Sequence, residues 1–315
     1  MPLPFSINPN LANLPVYQPG RPIEEVAREL GMDFDSIIKL ASNENPLGPA
    51  PKAVVAMKEA VENVHLYPDG NVFYLKRKLA DKLGVTPQNV IFGNGSNEMI
   101  EFIGHALLGP GTDVVVSEYS FAIYPIMAKM FGANVITVPT KNLGHDLPAM
   151  LAAVTPQTRV VFVANPNNPT GTLAPPEHVV QLLNELPENI LLVMDEAYIE
   201  FLDSPVDLLP RIRQGDRPNL FLMRTFSKIY GLAGLRIGYG IGHPEFISAL
   251  EKIRQPFNVN AVSQAAAIAA LDDHDHLAAT RSNNATGLQF FEIELRRLGL
   301  ETMPSFANFV LAKVG

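Results

Sequence analysis

The chain has 315 residues, 47% of them hydrophobic, enough for one large core with a smaller appendage. Its 24 basic residues against 32 acidic ones leave a net charge of -8, the wrong sign for gripping a nucleic-acid backbone, and the lack of cysteine excludes a disulfide framework and thiolate metal sites. The N-terminus, broken by Pro2, Pro4, Pro9, Pro15 and Pro19, has no signal-peptide layout, and no apolar run approaches the roughly 20 residues a bilayer span needs, so a soluble cytoplasmic protein with no membrane partner is expected.

The first helix with a clear buried face starts at Ser96, where Met99, Ile100, Ile103, Ala106 and Leu107 recur at helical spacing and put the segment GNGSNE at a helix N-terminus. From about Pro110 onward, short apolar runs alternate with amphipathic stretches, the pattern of helices covering both faces of a mostly parallel sheet. Strands are predicted at Asp113 to Ser117, Asn134 to Pro139, Arg159 to Ala164, Ile190 to Asp195 and Asn219 to Met223, with a weaker one at Ile237 to Ile241. Helices are predicted at Phe121 to Phe131 and Pro175 to Leu186, the second with prolines in its first turn, where a missing N–H costs nothing. Further helices follow at His243 to Arg254, Ala261 to Leu271 and Asp275 to Leu298, and Phe309 to Val314 reads as a new strand that the chain end interrupts. There is no internal repeat and no low-complexity tract.

Parallel-sheet proteins bind ligands outside the carboxyl ends of their strands, so polar residues just past each apolar run are the first candidates. Asn168 in NPNNPTG, Asp195 in DEAY, Lys228 in TFSK and Arg236 in GLAGLR occupy such places. Taken singly, an aspartate ending a strand fits a helix cap and a loop lysine fits a solvated charge. Two Asn-Pro steps followed by Thr-Gly restrict the backbone of NPNNPTG more than an ordinary surface loop requires. Together, a carboxylate, an amine, an amide and a guanidinium would converge at one sheet edge.

The ordered series NPNNPTG, DEAY, TFSK and GLRIGYG resembles the fold-type-I aminotransferases, and VYQPG, SNENPLGP, LYPDG and GNGSNE narrow the likeness to the histidinol-phosphate aminotransferases. The resemblance covers essentially the whole chain. It implies an α/β architecture of the pyridoxal-phosphate-dependent transferase fold type I: a mostly parallel central sheet with helices on both faces, plus a smaller second domain. Residues 1–50 would form an N-terminal arm and part of the small domain, 51–250 the large cofactor domain, and 251–315 a linking helix and the start of the C-terminal small domain.

Carried over position by position, the resemblance makes Lys228 the lysine that binds pyridoxal 5′-phosphate as a Schiff base and then shuttles a proton. Asp195 would face the pyridine nitrogen, and Asn168 and Tyr198 would hydrogen-bond the ring hydroxyl oxygen. Ser96 and Asn97 at a helix N-terminus, the hydroxyls of Thr225 and Ser227, and the Arg236 guanidinium would hold the phosphate, and Phe121 would stack on the ring. Tyr67 would reach the phosphate of a neighbouring subunit and Tyr17 would lie over the substrate, which makes a homodimer with shared active sites. Read from pattern alone, Phe121 fits a helix-face core residue equally well, and Tyr17 and Tyr67 fit structural tyrosines in proline-rich loops.

The implied reaction takes an amino donor and 2-oxoglutarate, with L-histidinol phosphate giving imidazole acetol phosphate and L-glutamate in histidine biosynthesis. An aromatic amino-acid aminotransferase and a phosphothreonine-type decarboxylase share the same cofactor motifs. Arg281, Arg296 and Arg297 read as solvated helix residues. Relatives implied by the resemblance continue past NFVLAKVG and carry substrate-anchoring arginines there, so the sequence reads either as a fragment or as a protein that lacks that piece, with the strand-like ending without a turn favouring the fragment. A DNA-binding regulator is disfavoured by charge and by the lack of an appended domain, and a dinucleotide enzyme by the missing third glycine in GNGSNE.

Overall fold

The structure is a computed structural model that describes residues 5–11 and 14–314, which leaves Pro2 and Pro4 outside the described residues. Its centre is a seven-stranded sheet in the order β1-β7-β6-β5-β4-β2-β3. The strands are β1 (Val90–Gly93), β2 (Asp113–Ser117), β3 (Asn134–Val138), β4 (Thr158–Ala164), β5 (Leu191–Asp195), β6 (Leu220–Thr225) and β7 (Gly238–Ile241). Strands β2 to β6 run parallel, and β7 runs antiparallel to both β6 and β1.

The inner strands β2, β4, β5 and β6 are largely apolar because both faces are covered. Successive side chains point to opposite sides, so Val115, Val161, Val163, Leu192 and Leu222 enter one apolar cluster while Val114, Val116, Phe162, Val193 and Met223 enter the other. The first cluster is closed by α2 (Pro51–Ala60), α3 (Phe73–Leu83), α7 (Pro176–Glu185) and α10 (Ala261–Ala270), the second by α4 (Ser96–Leu107), α5 (Ile123–Met130) and α9 (Pro244–Glu251). Small residues bring α10 close to α2: Ala266, Ala267 and Ala270 lie buried in the same cluster as Ala50 and Ala53. A 24-residue helix, α11 (His274–Arg297), follows, and α1 (Ile23–Leu30), α6 (Leu147–Ala152) and α8 (Leu209–Gln214) complete the set. Among the described residues no helix is long and apolar enough to cross a membrane.

Several elements differ from expectation, and helices α1, α2, α3, α6 and α8 were not predicted at all. Strand β1 was not predicted, since four residues ending in glycine are too short for periodicity to register. Helix α5 begins at Ile123, so Phe121 sits in the turn between β2 and the helix. The expected strand at Phe309 to Val314 shrinks to β9 (Ala312–Lys313), paired antiparallel with β8 (Glu301–Thr302). The residues before it serve other contacts: Asn308 donates its amide to the Asn43 carbonyl at 3.0 Å, and Phe309 packs edge-on to Tyr198 at 5.3 Å. Arg281 likewise is not merely solvated, because it donates to the Leu202 carbonyl at 3.1 Å and pairs with Asp203 at 2.8 Å.

Candidate active site

The carboxyl edge of the sheet is where the sequence-selected side chains meet. The strand registers align Ala164, Asp195 and Met223 in one row, and place Gly238 between Gly93 and Thr225 two rows further on. Because β7 is antiparallel it starts where β6 ends, which brings Arg236 to the same edge as Lys228, in the turn after β6. A cavity of about 660 Å³ opens there, and Lys228, Asp195, Tyr198, Asn168, Ser96 and Arg236 all line it.

Lys228 Nζ donates to the carbonyls of Ser42 at 3.1 Å and Asn43 at 3.2 Å, and lies 5.6 Å from the centre of the Tyr198 ring. Burial pushes the amine down to about 8; Glu44 opposes that shift and Arg236 reinforces it. A lysine in this state is partly neutral near physiological pH, the condition for nucleophilic work.

Asp195, the last residue of β5, is buried. Its Oδ2 accepts from Tyr124 Oη at 2.6 Å and its Oδ1 from the Ala197 N–H at 3.1 Å. Burial raises the carboxyl above its usual range, while those two donors and Lys228 pull the other way. A cation placed against the carboxylate would offset the burial penalty.

Tyr198 Oη accepts from Asn168 Nδ2 at 3.2 Å and from Asn43 Nδ2 at 3.1 Å. With both acceptor positions used, the hydroxyl proton is left to donate toward the cavity. Burial raises this phenol, so it keeps that proton.

The other end of the cavity is built for an anion. Helix α4 presents its N-terminus there, with unpaired N–H groups and a favourable dipole at Ser96 and Asn97. Two glycines permit the approach. A Cβ on Gly95, whose φ is 84°, would lie 2.3 Å from Arg236 Nη2, and one on Gly238 would lie 2.5 Å from the Ser96 backbone nitrogen. Thr225 Oγ1 donates to Ser227 Oγ at 2.9 Å, and both residues line the cavity. Arg236, which lines the cavity, donates to the Ala233 carbonyl at 3.0 Å through Nη1 and has further guanidinium N–H groups to offer.

Phe121 and Tyr17 also line the cavity. Tyr67 does not: it is 84% exposed and stacks on Phe257 at 4.8 Å. The sequence reading missed Tyr124 and the backbone carbonyls of Ser42 and Asn43. Tyr124 carries no motif that separates it from a core aromatic, whereas Ser42 and Asn43 lie inside SNENPLGP, a segment noted for its likeness and not for a contact.

The family described as "Aminotransferase class I and II" matches residues 35–315. A histidinol-phosphate aminotransferase of Akkermansia muciniphila is 50% identical over 309 residues, covering 98% of this chain and 85% of that protein. Histidinol-phosphate aminotransferase 2 of Pseudomonas fluorescens is 49% identical, covering 98% of this chain and 83% of its own. The crystal structure of the histidinol-phosphate aminotransferase of Sinorhizobium meliloti, solved in complex with pyridoxal-5′-phosphate, superposes with a TM-score of 0.87 at 36% identity, over 98% of this chain and 82% of that one. The chain belongs to the class I and II aminotransferases, on the branch formed by the histidinol-phosphate aminotransferases.

Proposed function

We propose that the protein transfers the amino group of L-histidinol phosphate to 2-oxoglutarate, giving imidazole acetol phosphate and L-glutamate, with pyridoxal 5′-phosphate held at Lys228. The observation that carries the reading is a desolvated lysine and a buried carboxylate lining one cavity whose far end is an anion cradle. The residues present fit the cofactor. Asp195 offers a carboxylate to the ring nitrogen, and Tyr198, positioned by Asn168, offers a proton to the ring hydroxyl oxygen. Ser96, Asn97, Thr225, Ser227 and Arg236 suit the phosphate, and Phe121 suits one ring face.

When bound, the cofactor supplies the electron sink for the charge left as the substrate C–H bond breaks. Lys228 holds and returns that proton at Nζ, and its lowered affinity for protons makes both directions accessible near neutral pH. Asp195 keeps a positive charge on the ring nitrogen by Coulomb attraction in a dry site. Tyr17, at the cavity mouth, suits a position over the substrate. The exposed Tyr67, close in sequence to Phe73 and Tyr74 that are 49% and 74% exposed, suits a subunit interface, so we read the active form as a homodimer in which Tyr67 serves the partner's cofactor phosphate. Residues 51–250 would then be the large cofactor domain, with 1–50 and 251–315 contributing to the arm and the small domain.

Single-turnover absorbance of the cofactor tests the substrate. L-histidinol phosphate should convert the holoenzyme with a higher kcat/KM than phenylalanine or tyrosine. A large preference for either aromatic amino acid would overturn the assignment, as would carbon dioxide release from a phosphothreonine-type substrate without amino transfer.

A further inference from the structure

We infer that Tyr124 is a positioning residue for the reaction: its hydroxyl fixes the rotamer of Asp195 and so decides which carboxylate oxygen meets the cofactor's ring nitrogen. The inference rests on the assignment of Asp195 proposed above. Tyr124 is fully buried in the first turn of α5, and its Oη lies 2.6 Å from Asp195 Oδ2. Its ring has little freedom, being stacked on Phe162 of β4 at 4.6 Å with 7° between planes and met edge-on by Phe121 at 5.6 Å. The hydroxyl is therefore delivered from a helix across the sheet edge to the end of a strand, at a sequence separation of 71 residues.

The carboxylate has few other partners. Oδ1 takes the Ala197 N–H, and the hydrogen bond from Tyr124 is the side-chain donor to Oδ2. A buried carboxylate with two fixed donors has one orientation, and the lone pairs those donors leave unused point in a set direction. Without the phenol, Asp195 would keep the burial penalty and a single backbone donor, and would turn or take up a proton instead of facing the ring as an anion. Phe121 adds a second link: the residue suited to the cofactor's face also braces the ring that holds the cofactor's carboxylate. Face stacking and nitrogen pairing are thereby fixed by one aromatic cluster.

Tyr124→Phe tests the idea, because it keeps the ring packing and removes only the oxygen. The variant holoenzyme should lose about tenfold to a hundredfold in kcat, the range for a hydrogen bond to a charged group, with KM changed much less. Its equilibrium dissociation constant for pyridoxal phosphate, read by fluorescence, should rise several-fold while its melting temperature without cofactor stays near that of the unmodified protein. In an Asp195→Asn background the same substitution should add almost nothing, since the oxygen it would orient is gone. A core role for the hydroxyl would instead lower both melting temperatures and add equally in both backgrounds. If Asp195→Asn is impaired and Tyr124→Phe matches the unmodified protein within twofold in both kcat and cofactor affinity, the inference fails by itself. If Asp195→Asn turns over and binds cofactor normally, the role of Asp195 fails and the inference goes with it.

Discussion

At the scale of single residues, the site works by opposing two burial penalties. Lys228 is pushed toward its neutral form and Asp195 toward its protonated form, and each is partly rescued by the other's charge. The lysine's shift sets a pH dependence that can be measured. Only the neutral amine attacks a carbonyl, so the rate of pyridoxal phosphate uptake by the cofactor-free protein should climb with pH and level off above about 8, where the Lys228 cation has been lost. A lysine in water would keep climbing to near its ordinary value of about 10.4. Stopped-flow absorbance at several pH values reads the midpoint directly, and a rate still rising above pH 9.5 would show that the amine is not desolvated.

At the scale of elements, the turn after β5 carries a second buried cluster behind the cavity. Arg224 of β6 pairs with Glu196 at 2.8 Å, while Glu200 has an enclosed carboxyl whose Oε2 lacks a partner. Burial lifts Glu200 to about 7, with Arg224 opposing the shift. An acid whose folded value is raised contributes stability that is fully present below its unfolded value, about 4.3, and lost as pH rises through about 7. Glu200→Gln should therefore abolish that loss: between pH 5 and 8 the variant should gain about 1–3 kcal/mol relative to the unmodified holoenzyme in urea unfolding. Parallel curves for the two proteins would show that Glu200 ionises freely.

The same scale explains what the sequence made legible. Strands β2, β4, β5 and β6 could be read because they are buried on both faces and leave short apolar runs, whereas the edge strand β3 keeps Asn134 and Thr137 exposed and was legible from its brevity and β-branched residues. The residues past their ends could be read because parallel topology sends every carboxyl end to one edge. Strand β1, with four residues, and helix α2, with only Ala53 buried, offer no such pattern. Side-chain pairings were out of reach for a different reason. Asn43 meets Tyr198 across 155 residues and Tyr124 meets Asp195 across 71, and neither separation leaves a periodic trace.

At the scale of the whole molecule, the proposed dimer predicts a recovery of activity by mixing. Lys228→Ala and Tyr67→Ala homodimers should each be impaired, the first more severely. A mixed dimer has one site with both an intact Lys228 and an intact Tyr67 from across the interface, so refolding the two variants together should restore turnover well above the sum of the parts. No gain in dimers verified to be mixed would show that Tyr67 serves its own chain or none.

If Lys228 holds the cofactor at this sheet edge, reducing the holoenzyme with borohydride and mapping the modified peptide will reveal it. A single pyridoxyl label on Lys228, in the segment TFSK, is expected. A label on another lysine, such as Lys129 or Lys252, would contradict it.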